Sequence, residues 1–427
     1  MAERVRALRG FNEVLPDRTP AWRGLMARTQ QAMDLYGYQE IRLPLLEATE
    51  LFARSVGATT DIVEKEMFSF VDRDKHAMSL RPEGTAGCVR AGIDHGLLHN
   101  QQQRLWYAGP MFRHERPQAG RYRQFEQVGA EAYGMAGPDI DIEMIALSSR
   151  LLRALGVGKA VTLELNTIGS AEARAGYRQA LVAYLRPHFE ALDPDSQRRL
   201  DSNPLRIFDS KVAATQAIVA NAPAFDDYLD AESATHFAAV KAGLDALGIR
   251  FVLNPRLVRG LDYYSRTVFE WTTTELGAQG TVCAGGRYDA LVAQLGGGEV
   301  PAVGFAMGLE RVLLLADACG SELAADCGPQ LYLCQQGVVE SAAHALGEDL
   351  RNAGYRVVVN AGGGKLKAQL KRADRSGAVW ALILGESEQA GGTVLLKPLR
   401  GDGEQEEISR DALLPHLRRA LGAATNN

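Results

Sequence analysis

One segment, LVRGLDYYSRTVFEW at residues 257–271, constrains this chain more than any other. Its apolar residues, such as Val268 and Phe269, are typical of a buried strand. Arg259 and Asp262 lie in the same segment, and a buried charge without a partner is strongly unfavourable. Charged residues in such a strand are typical of a polar pocket, so we expect this segment to line a ligand site.

Composition excludes several classes of protein. With 427 residues and 46% hydrophobic content, the chain is long enough for two or three domains. No apolar run reaches the roughly 18 residues of a membrane helix, and the first residues lack a signal-peptide core. We therefore expect a cytoplasmic protein with no membrane partner. Its five cysteines contain no CxxC pair, which predicts free thiols and no metal site.

The first part of the chain predicts an α+β domain with an antiparallel sheet. A helical pattern at residues 20–36 precedes strand-like segments bounded by Gly and Pro, and strands return at residues 250–307. Between them, apolar residues recur at helical spacing over about residues 170–248, which predicts a helical insertion. We predict one large domain over residues 1–325.

The remaining chain predicts a second, small α/β domain at residues 326–427. Strand-like and helical patterns alternate there, as in sheets with parallel strands. Basic residues predominate between Arg351 and Arg375, with Asp374 as the single acid. Such a patch suits phosphates, although it is equally typical of a solvated helix face.

Residues 111–134, MFRHERPQAGRYRQFEQVGAEAYG, predict a basic hairpin. Its Pro/Gly loop is flanked by Arg113, Arg116, Arg121 and Arg123. A guanidinium binds phosphate through two hydrogen bonds, and Arg113 on a strand is well placed for an α-phosphate. Glu115 could accept from an adenine amino group. Phe125 offers a flat face for a base, although an alternating aromatic residue in a strand is also typical of plain core.

This hairpin is similar to motif 2 of class II aminoacyl-tRNA synthetases, and the RYRQF that follows its loop resembles the histidyl type. Residues 302–315, AVGFAMGLERVLLL, resemble motif 3, and residues 37–52 resemble motif 1, the dimer-interface element. Residues 257–271 and AGGRYDALVAQLGG at 284–297 resemble the two histidine-specific motifs of histidyl-tRNA synthetases. The resemblance covers essentially the whole chain.

What the resemblance implies is a homodimer with two reactions. It would activate L-histidine with ATP to histidyl-adenylate and pyrophosphate, and then transfer histidine to the 3′ end of its tRNA. A catalytically silent, synthetase-like regulatory subunit of histidine biosynthesis is the alternative. Such subunits typically lack the terminal domain and lose signature residues, whereas this sequence keeps Arg113, Arg259, Arg311 and the terminal domain.

The resemblance also implies a histidine pocket. Its α-amine would be held by residues of the Gly-containing turn RPEGTAG and by Gln127, and its imidazole by Glu131 and Tyr264. The matching positions are Glu83, Thr85, Arg113, Gln127, Glu131, Arg259, Tyr263, Tyr264 and Tyr288. Without the resemblance, Glu83 and Glu131 would equally fit surface carboxylates. Gly285 and Gly286 would let the backbone approach the ligand.

ATP would be held by Arg113, Glu115, Arg121, Phe125 and Arg311. The resemblance implies Arg259 and Arg113 as the catalytic residues, because fixed positive charge would neutralise the α-phosphate during attack by the histidine carboxylate. Magnesium is expected on the ATP phosphates and not on protein ligands. For tRNA, the implied contacts are Arg116, Gln118 and Arg123 in the hairpin and Lys367, Lys371 and Arg372 in a domain that resembles the family's anticodon-binding domain.

Overall fold

A computed structural model describes residues 4–57, 60, 62–257, 261, 263–277, 280–324, 328–400 and 403–421. The chain forms two compact units, Met1–Ala325 and Asp326–Asn427. No helix of the described residues is both long enough and apolar enough to cross a membrane.

Eleven strands form the two sheets of the first unit. They are β1 (Gln39–Glu40), β2 (Leu46–Ala48), β3 (Phe68–Val71), β4 (Ala77–Leu80), β5 (Gln103–Phe112), β6 (Gln124–Tyr133), β7 (Thr162–Thr167), β8 (Phe251–Leu253), β9 (Ser265–Thr272), β10 (Thr281–Arg287) and β11 (Ala302–Gly308). Its helices are α1 (Thr19–Leu35), α2 (Thr49–Val56), α3 (Thr85–Asp94), α4 (Pro138–Ala154), α5 (Ala171–Leu185), α6 (Pro194–Ser202), α7 (Ala213–Val219), α8 (Ala231–Ala246), α9 (Leu291–Gln294) and α10 (Leu309–Ala318).

The main sheet has eight strands in the order β1-β5-β6-β11-β10-β9-β7-β8. All pairs from β5 to β7 are antiparallel, which confirms the predicted sheet, and the two edge pairs, β1 with β5 and β7 with β8, are parallel. Strands β2, β4 and β3 form a separate antiparallel sheet. The long β5 and β6 pair over their full length, which fixes the hairpin that carries the predicted arginines.

Alternation along β6 sends its side chains to two different environments. Val128, Ala130 and Ala132 lie in the apolar core that also contains residues of α1, α4 and α10. The residues between them face the other side of the pleat. Gln127 and Glu131 are thus placed together on one face, away from that core.

The helical insertion lies between β7 and β8, which pair in parallel. Its helices α5 to α7 have their own core, which includes Tyr177, Leu181 and Leu200, whereas α8 packs against α4. Asp193 caps α6 and Asp230 caps α8, since each carboxylate accepts backbone N–H groups of the first turn. Asp230 also hydrogen-bonds with Ser170, the cap of α5.

The second unit is a small α/β domain with a sheet of its own. Its strands are β12 (Leu331–Gln336), β13 (Val357–Val359), β14 (Trp380–Gly385), β15 (Thr393–Pro398) and β16 (Glu406–Ser409), in the order β13-β12-β14-β15-β16. Its helices are α11 (Glu340–Asn352), α12 (Leu366–Arg375), α13 (Glu386–Gly391) and α14 (Arg410–Leu421). The first three strands are parallel, as predicted, and β15 and β16 add antiparallel pairs.

Candidate active site

A cavity of about 340 Å³ lies against β6, β10 and β11, which is within the usual range for a small-molecule site. Residues from the turn before α3, the hairpin loop, the segment before β9 and the start of α10 complete its wall. Among the residues predicted to bind histidine or ATP, the lining includes Glu83, Thr85, Arg113, Glu115, Arg121, Phe125, Gln127, Glu131, Tyr263, Tyr264, Tyr288 and Arg311. Arg259, the other predicted catalytic residue, lies outside the described residues, as does Asp262.

Glu131 is the most deeply buried acid of this cavity, with 1% of its surface exposed. Its Oε1 accepts from Thr85 Oγ1 at 2.8 Å and from the Tyr107 hydroxyl at 2.9 Å. Its Oε2 accepts from the Tyr288 hydroxyl. Burial raises the pKa of Glu131 to about 8, although these three hydroxyl groups oppose the shift. The three hydroxyl groups therefore fix the position of this carboxyl group. A further hydrogen-bond donor on a ligand would favour its ionised form.

Glu83 shapes the start of α3. Its two carboxylate oxygens accept from the backbone N–H groups of Thr85 and Ala86, at 2.6 and 2.9 Å. Burial raises the pKa of Glu83, and these hydrogen bonds oppose that shift. Nearby, the Oε1 atom of Gln127 is buried and has no hydrogen-bond partner among the described residues. A buried acceptor of this kind requires a donor, such as the α-amine of an amino acid.

Three tyrosines pack against one another beside Glu131. The ring centroids of Tyr263 and Tyr264 are 4.7 Å apart, and those of Tyr263 and Tyr288 are 5.5 Å apart. Tyr288 follows directly on Arg287, the buried last residue of β10. All five N–H groups of Arg287 have partners, which are the carboxylates of Asp141 and Asp289 and the carbonyls of Met135 and Gly137. Arg287 therefore fixes the backbone from which Tyr288 projects.

Three arginines gather on the other side of the cavity. Arg113 donates from Nε to the Pro82 carbonyl at 2.9 Å, and its Cζ lies 5.4 Å from the centre of the Phe125 ring. Arg121 forms an ion pair with Glu115. Arg311, from α10, contacts the carbonyl of Gly120 at 3.4 Å.

These guanidinium groups repel one another, although the Glu115 carboxylate pairs with Arg121. Burial lowers the pKa of Arg311, and repulsion from Arg121 and Arg113 lowers it further. Burial and repulsion from Arg113 act in the same direction on the pKa of Arg121. A bound polyphosphate would remove this repulsion, because it would place negative charge among the three guanidinium groups.

The residues predicted to contact tRNA do not line this cavity. Arg116, Gln118 and Arg123 lie in the hairpin outside it, where Gln118 and Arg121 form a turn through their backbones and Arg123 contacts Gly10 and Glu115 through backbone carbonyls. In the second unit, Lys367 and Lys371 are exposed on α12. Arg372 donates to Asn360 and to the carbonyl of Gly363.

Several lining residues escaped the sequence analysis. Glu310 has a pKa that burial raises to about 7, and Glu270 also lines the cavity. Glu310 directly precedes the predicted Arg311, and this position next to a predicted site residue was the sequence signal that could have identified it. Gly285 and Gly286 are not among the residues that line the cavity, and a side chain there would collide with the neighbouring strands β9 and β11, so their approach to the ligand stays a prediction.

This architecture, a large mixed sheet in a catalytic unit followed by a unit with a separate sheet, is the class II synthetase fold. The sequence profile of histidyl-tRNA synthetase matches residues 10–312, and that of an anticodon-binding domain matches residues 332–420. The chain therefore belongs to the histidyl-tRNA synthetase family, whose members are aminoacyl-tRNA ligases.

Solved structures agree with this assignment. Apo histidyl-tRNA synthetase of S. aureus is 34% identical, with a TM-score of 0.82 over 97% of this chain and 99% of that one. The Nostoc enzyme is 21% identical, with a TM-score of 0.70 over 98% of this chain and all of that one (100%). A Bacillus halodurans protein described as an ATP phosphoribosyltransferase regulatory subunit/histidyl-tRNA synthetase is 21% identical, with a TM-score of 0.65 over 90% of this chain and 99% of that one. The latter two show the fold alone.

Proposed function

We propose that this chain activates L-histidine with ATP, giving histidyl-adenylate and pyrophosphate, and then transfers histidine to the 3′ end of its tRNA. One observation carries the proposal. Buried acceptors for an amino acid and three crowded arginines line the same cavity. A cavity for an amino acid alone would not require Arg113, Arg121 and Arg311 together.

Histidine would occupy the side of the cavity that carries Glu83, Gln127 and Glu131, here called the acidic side. Its α-amine would donate to Glu83, to Gln127 Oε1 and to Thr85, and its imidazole would lie between Glu131 and Tyr264. Tyr263 and Tyr288 would pack around it. Because the buried acceptors would lose their partners with an apolar mimic, such a site discriminates strongly.

ATP would occupy the side of the cavity that carries Arg113, Arg121 and Arg311, here called the basic side. Arg311 would bind the γ-phosphate, Glu115 the adenine amino group, and Phe125 would stack on the base; Arg121 would add a second cation beside the phosphates. Magnesium would enter with ATP on its β- and γ-phosphates, as part of the substrate.

Activation needs positioning and charge more than acid–base chemistry. An oxygen of the ionised histidine carboxylate would attack the α-phosphorus in line, and the bond to pyrophosphate would break. Arg113, with the predicted Arg259, would stabilise the charge that develops on the α-phosphate. No protein base is needed, because the attacking carboxylate is already deprotonated.

The tRNA would contact both units. Arg116, Gln118 and Arg123 would contact its acceptor end, and Lys367, Lys371 and Arg372 phosphates near its anticodon. We assign the protein to the cytoplasm, where its tRNA and ATP are found.

We further propose a homodimer through the motif 1 segment. Leu45 and Leu46 are 43% and 41% exposed there, and Phe70 and Val71 on β3, in the same three-stranded sheet as Leu46, are also exposed. Exposed apolar residues grouped on one sheet are typical of an interaction surface.

A regulatory subunit that binds histidine without activating it is the second candidate, and the Bacillus halodurans protein is the fold-level reason to consider it. The three cavity arginines and the second unit favour the ligase, because a protein that only senses histidine needs neither a triphosphate site nor an anticodon-binding unit.

Histidine-dependent exchange of labelled pyrophosphate into ATP tests the proposal, since it measures activation without tRNA. We expect exchange with histidine and with no other amino acid. Folded protein that binds histidine but gives no exchange would support the regulatory subunit instead.

A further inference from the structure

Three glycines from three separate motifs surround one pair of side chains, Tyr107 and Glu131. Gly84 precedes α3, Gly129 lies on β6, and Gly304 on β11 pairs with Glu131. A Cβ at Gly84 or Gly129 would collide with the Tyr107 ring. A Cβ at Gly304 would collide with the Glu131 carboxylate. The backbone is therefore shaped to hold this pair in one position.

Among the described residues, the hydrogen bonds of the pair leave one acceptor position of Glu131 open. An ionised carboxylate offers about four acceptor positions. Thr85 and Tyr107 donate to Oε1 of Glu131, and Tyr288 donates to Oε2. The remaining position is on Oε2, and Glu131 lines the cavity.

Tyr107 itself does not line the cavity and has 1% of its surface exposed. It belongs to β5, among the buried residues Leu105 and Met111. An influence of Tyr107 on a ligand must therefore pass through its hydroxyl partners, which are Glu131 at 2.9 Å and, more distantly, Thr85 at 3.5 Å. Since hydrogen bonds to an ionised group are among the stronger ones, the hydroxyl of Tyr107 is well suited to fix the carboxylate plane.

We propose that Tyr107 is a positioning residue for recognition of the amino-acid side chain, which holds Glu131 so that its open lone pair faces an imidazole N–H. The inference rests on the proposed function, in which Glu131 accepts from histidine. A side chain without an N–H donor at this point would leave that one acceptor position of the buried carboxylate unfilled, so Tyr107 contributes to selectivity as well as affinity.

The test is Tyr107→Phe, which removes the hydroxyl and keeps the ring. Pyrophosphate exchange should show a KM for histidine raised about tenfold, the effect of losing a hydrogen bond to a charged group, with the KM for ATP and the melting temperature unchanged. Tyr38→Phe is the matched control. Tyr38 is 3% exposed and donates to the Glu143 carboxylate at 3.2 Å, outside the cavity, so its variant should leave both KM values unchanged.

A second pair of variants tests the position of the ring. Gly129→Ala should raise the KM for histidine at least as much as Tyr107→Phe, because the added methyl displaces the ring. In a Tyr107→Ala background the same glycine substitution should have little further effect, because its collision partner is gone. Equal losses from Gly129→Ala in both backgrounds would overturn the proposal.

The outcomes separate the inference from the proposed function. Wild-type exchange with an unchanged histidine KM in Tyr107→Phe overturns the role of Tyr107 and leaves the ligase intact. Equal rises in the KM for histidine and for ATP would indicate general loosening and also overturn it. If the wild type gives no exchange, the proposed function fails, and histidine affinity by calorimetry then tests Tyr107, with the same loss of about tenfold expected.

Discussion

The cavity and the helical insertion belong to one unit, yet their carboxyl groups shift in opposite directions. In the cavity, burial raises the pKa of Glu131 to about 8 and that of Glu310 to about 7. In the insertion, hydrogen bonds from the Ser233 backbone and side chain lower the pKa of Asp230 to about 2. The pKa of Asp193 is also lowered, because hydrogen bonds from Ser196, Ser210 and Thr215 outweigh the effect of burial.

The difference separates two uses of the same functional group. Asp193 and Asp230 stand at helix starts, where ionised carboxylates satisfy N–H groups that the helix leaves free. Glu131 and Glu310 stand where burial disfavours their charge, although Glu310 also accepts from the backbone N–H of Glu126 at 2.9 Å. We therefore expect substitutions in the cavity to change activity more than stability, and substitutions at the caps to do the reverse.

The largest expected effect is that of Arg113→Gln in the cavity. Removing one fixed charge from the α-phosphate should lower the rate of histidine-dependent pyrophosphate exchange by about 10³-fold. The melting temperature should hardly change. Arg116→Gln, in the same hairpin but outside the cavity, is the control and should keep the exchange rate. A fully active Arg113→Gln enzyme would contradict the assignment of the basic side.

Glu131→Gln sharpens the comparison within the acidic side. It keeps the shape but offers one oxygen where the carboxylate offers two, so kcat/KM for histidine in pyrophosphate exchange should fall by about 10²-fold. Stability at pH 8 and above should match or exceed that of the wild type, because no charge is buried. A strongly destabilised but active variant would contradict the expectation that substitutions in the cavity change activity more than stability.

Asp193→Ala should show the opposite pattern. Asp193 accepts from the backbone of Asp195 and Ser196 and from the hydroxyls of Ser210 and Thr215, at 2.7 to 3.1 Å. Losing this cap should destabilise the insertion by about 1–2 kcal/mol, with exchange of pyrophosphate unchanged. Hydrogen exchange of the insertion amides measures the loss. The control is Asp195→Ala, whose exposed ion pair with Arg198 should contribute little.

Per pH unit, the smallest expected effect is a pH dependence of opposite sign in the two regions. Because the folded pKa of Glu131 lies above its ordinary 4.5, its contribution to stability is present below pH 4.5 and is lost as pH rises through 8. Relative to Glu131→Gln, wild-type stability should fall across this window by at most about 1.4 kcal/mol per pH unit.

For Asp230 the sign is reversed. Its folded pKa lies below the ordinary 3.8, so its contribution is present above pH 3.8 and is lost as pH falls through about 2. Hydrogen exchange by region between pH 2 and pH 8.5 separates the two trends. The same sign in both regions would show that burial does not dominate at Glu131.

Most of the residues predicted to bind histidine or ATP line one cavity, and they come in long motifs that the sequence makes visible. The predicted hairpin, the strands on both sides of the insertion and the small parallel sheet are all present, and the helix predicted at 20–36 is Thr19–Leu35. The parallel pairing of the edge strands β1 and β8 was not predictable, since two or three residues carry no periodic pattern.

Tyr107 shows why other residues around the site could not be predicted from the sequence. In the segment RLWYAGPMF its position in the alternation is that of an ordinary core residue. Its contact with Glu131, on the adjacent strand, depends on the register of β5 and β6, and its contact with Gly84 on how α3 meets the sheet. Phe125 is intermediate between a core residue and a site residue, because it lines the cavity and its ring also contacts the Arg113 guanidinium group.

The hydrogen bond between Ser170 and Asp230 has a consequence for how this architecture could have been assembled. Without residues 171–229, β7, α8 and β8 would form a simple crossover between parallel strands, with α8 resting on α4 as it does now. The two cut ends would already be in contact. We therefore expect a shortened chain that joins Ser170 to Asp230 to fold with the surrounding sheet unaltered.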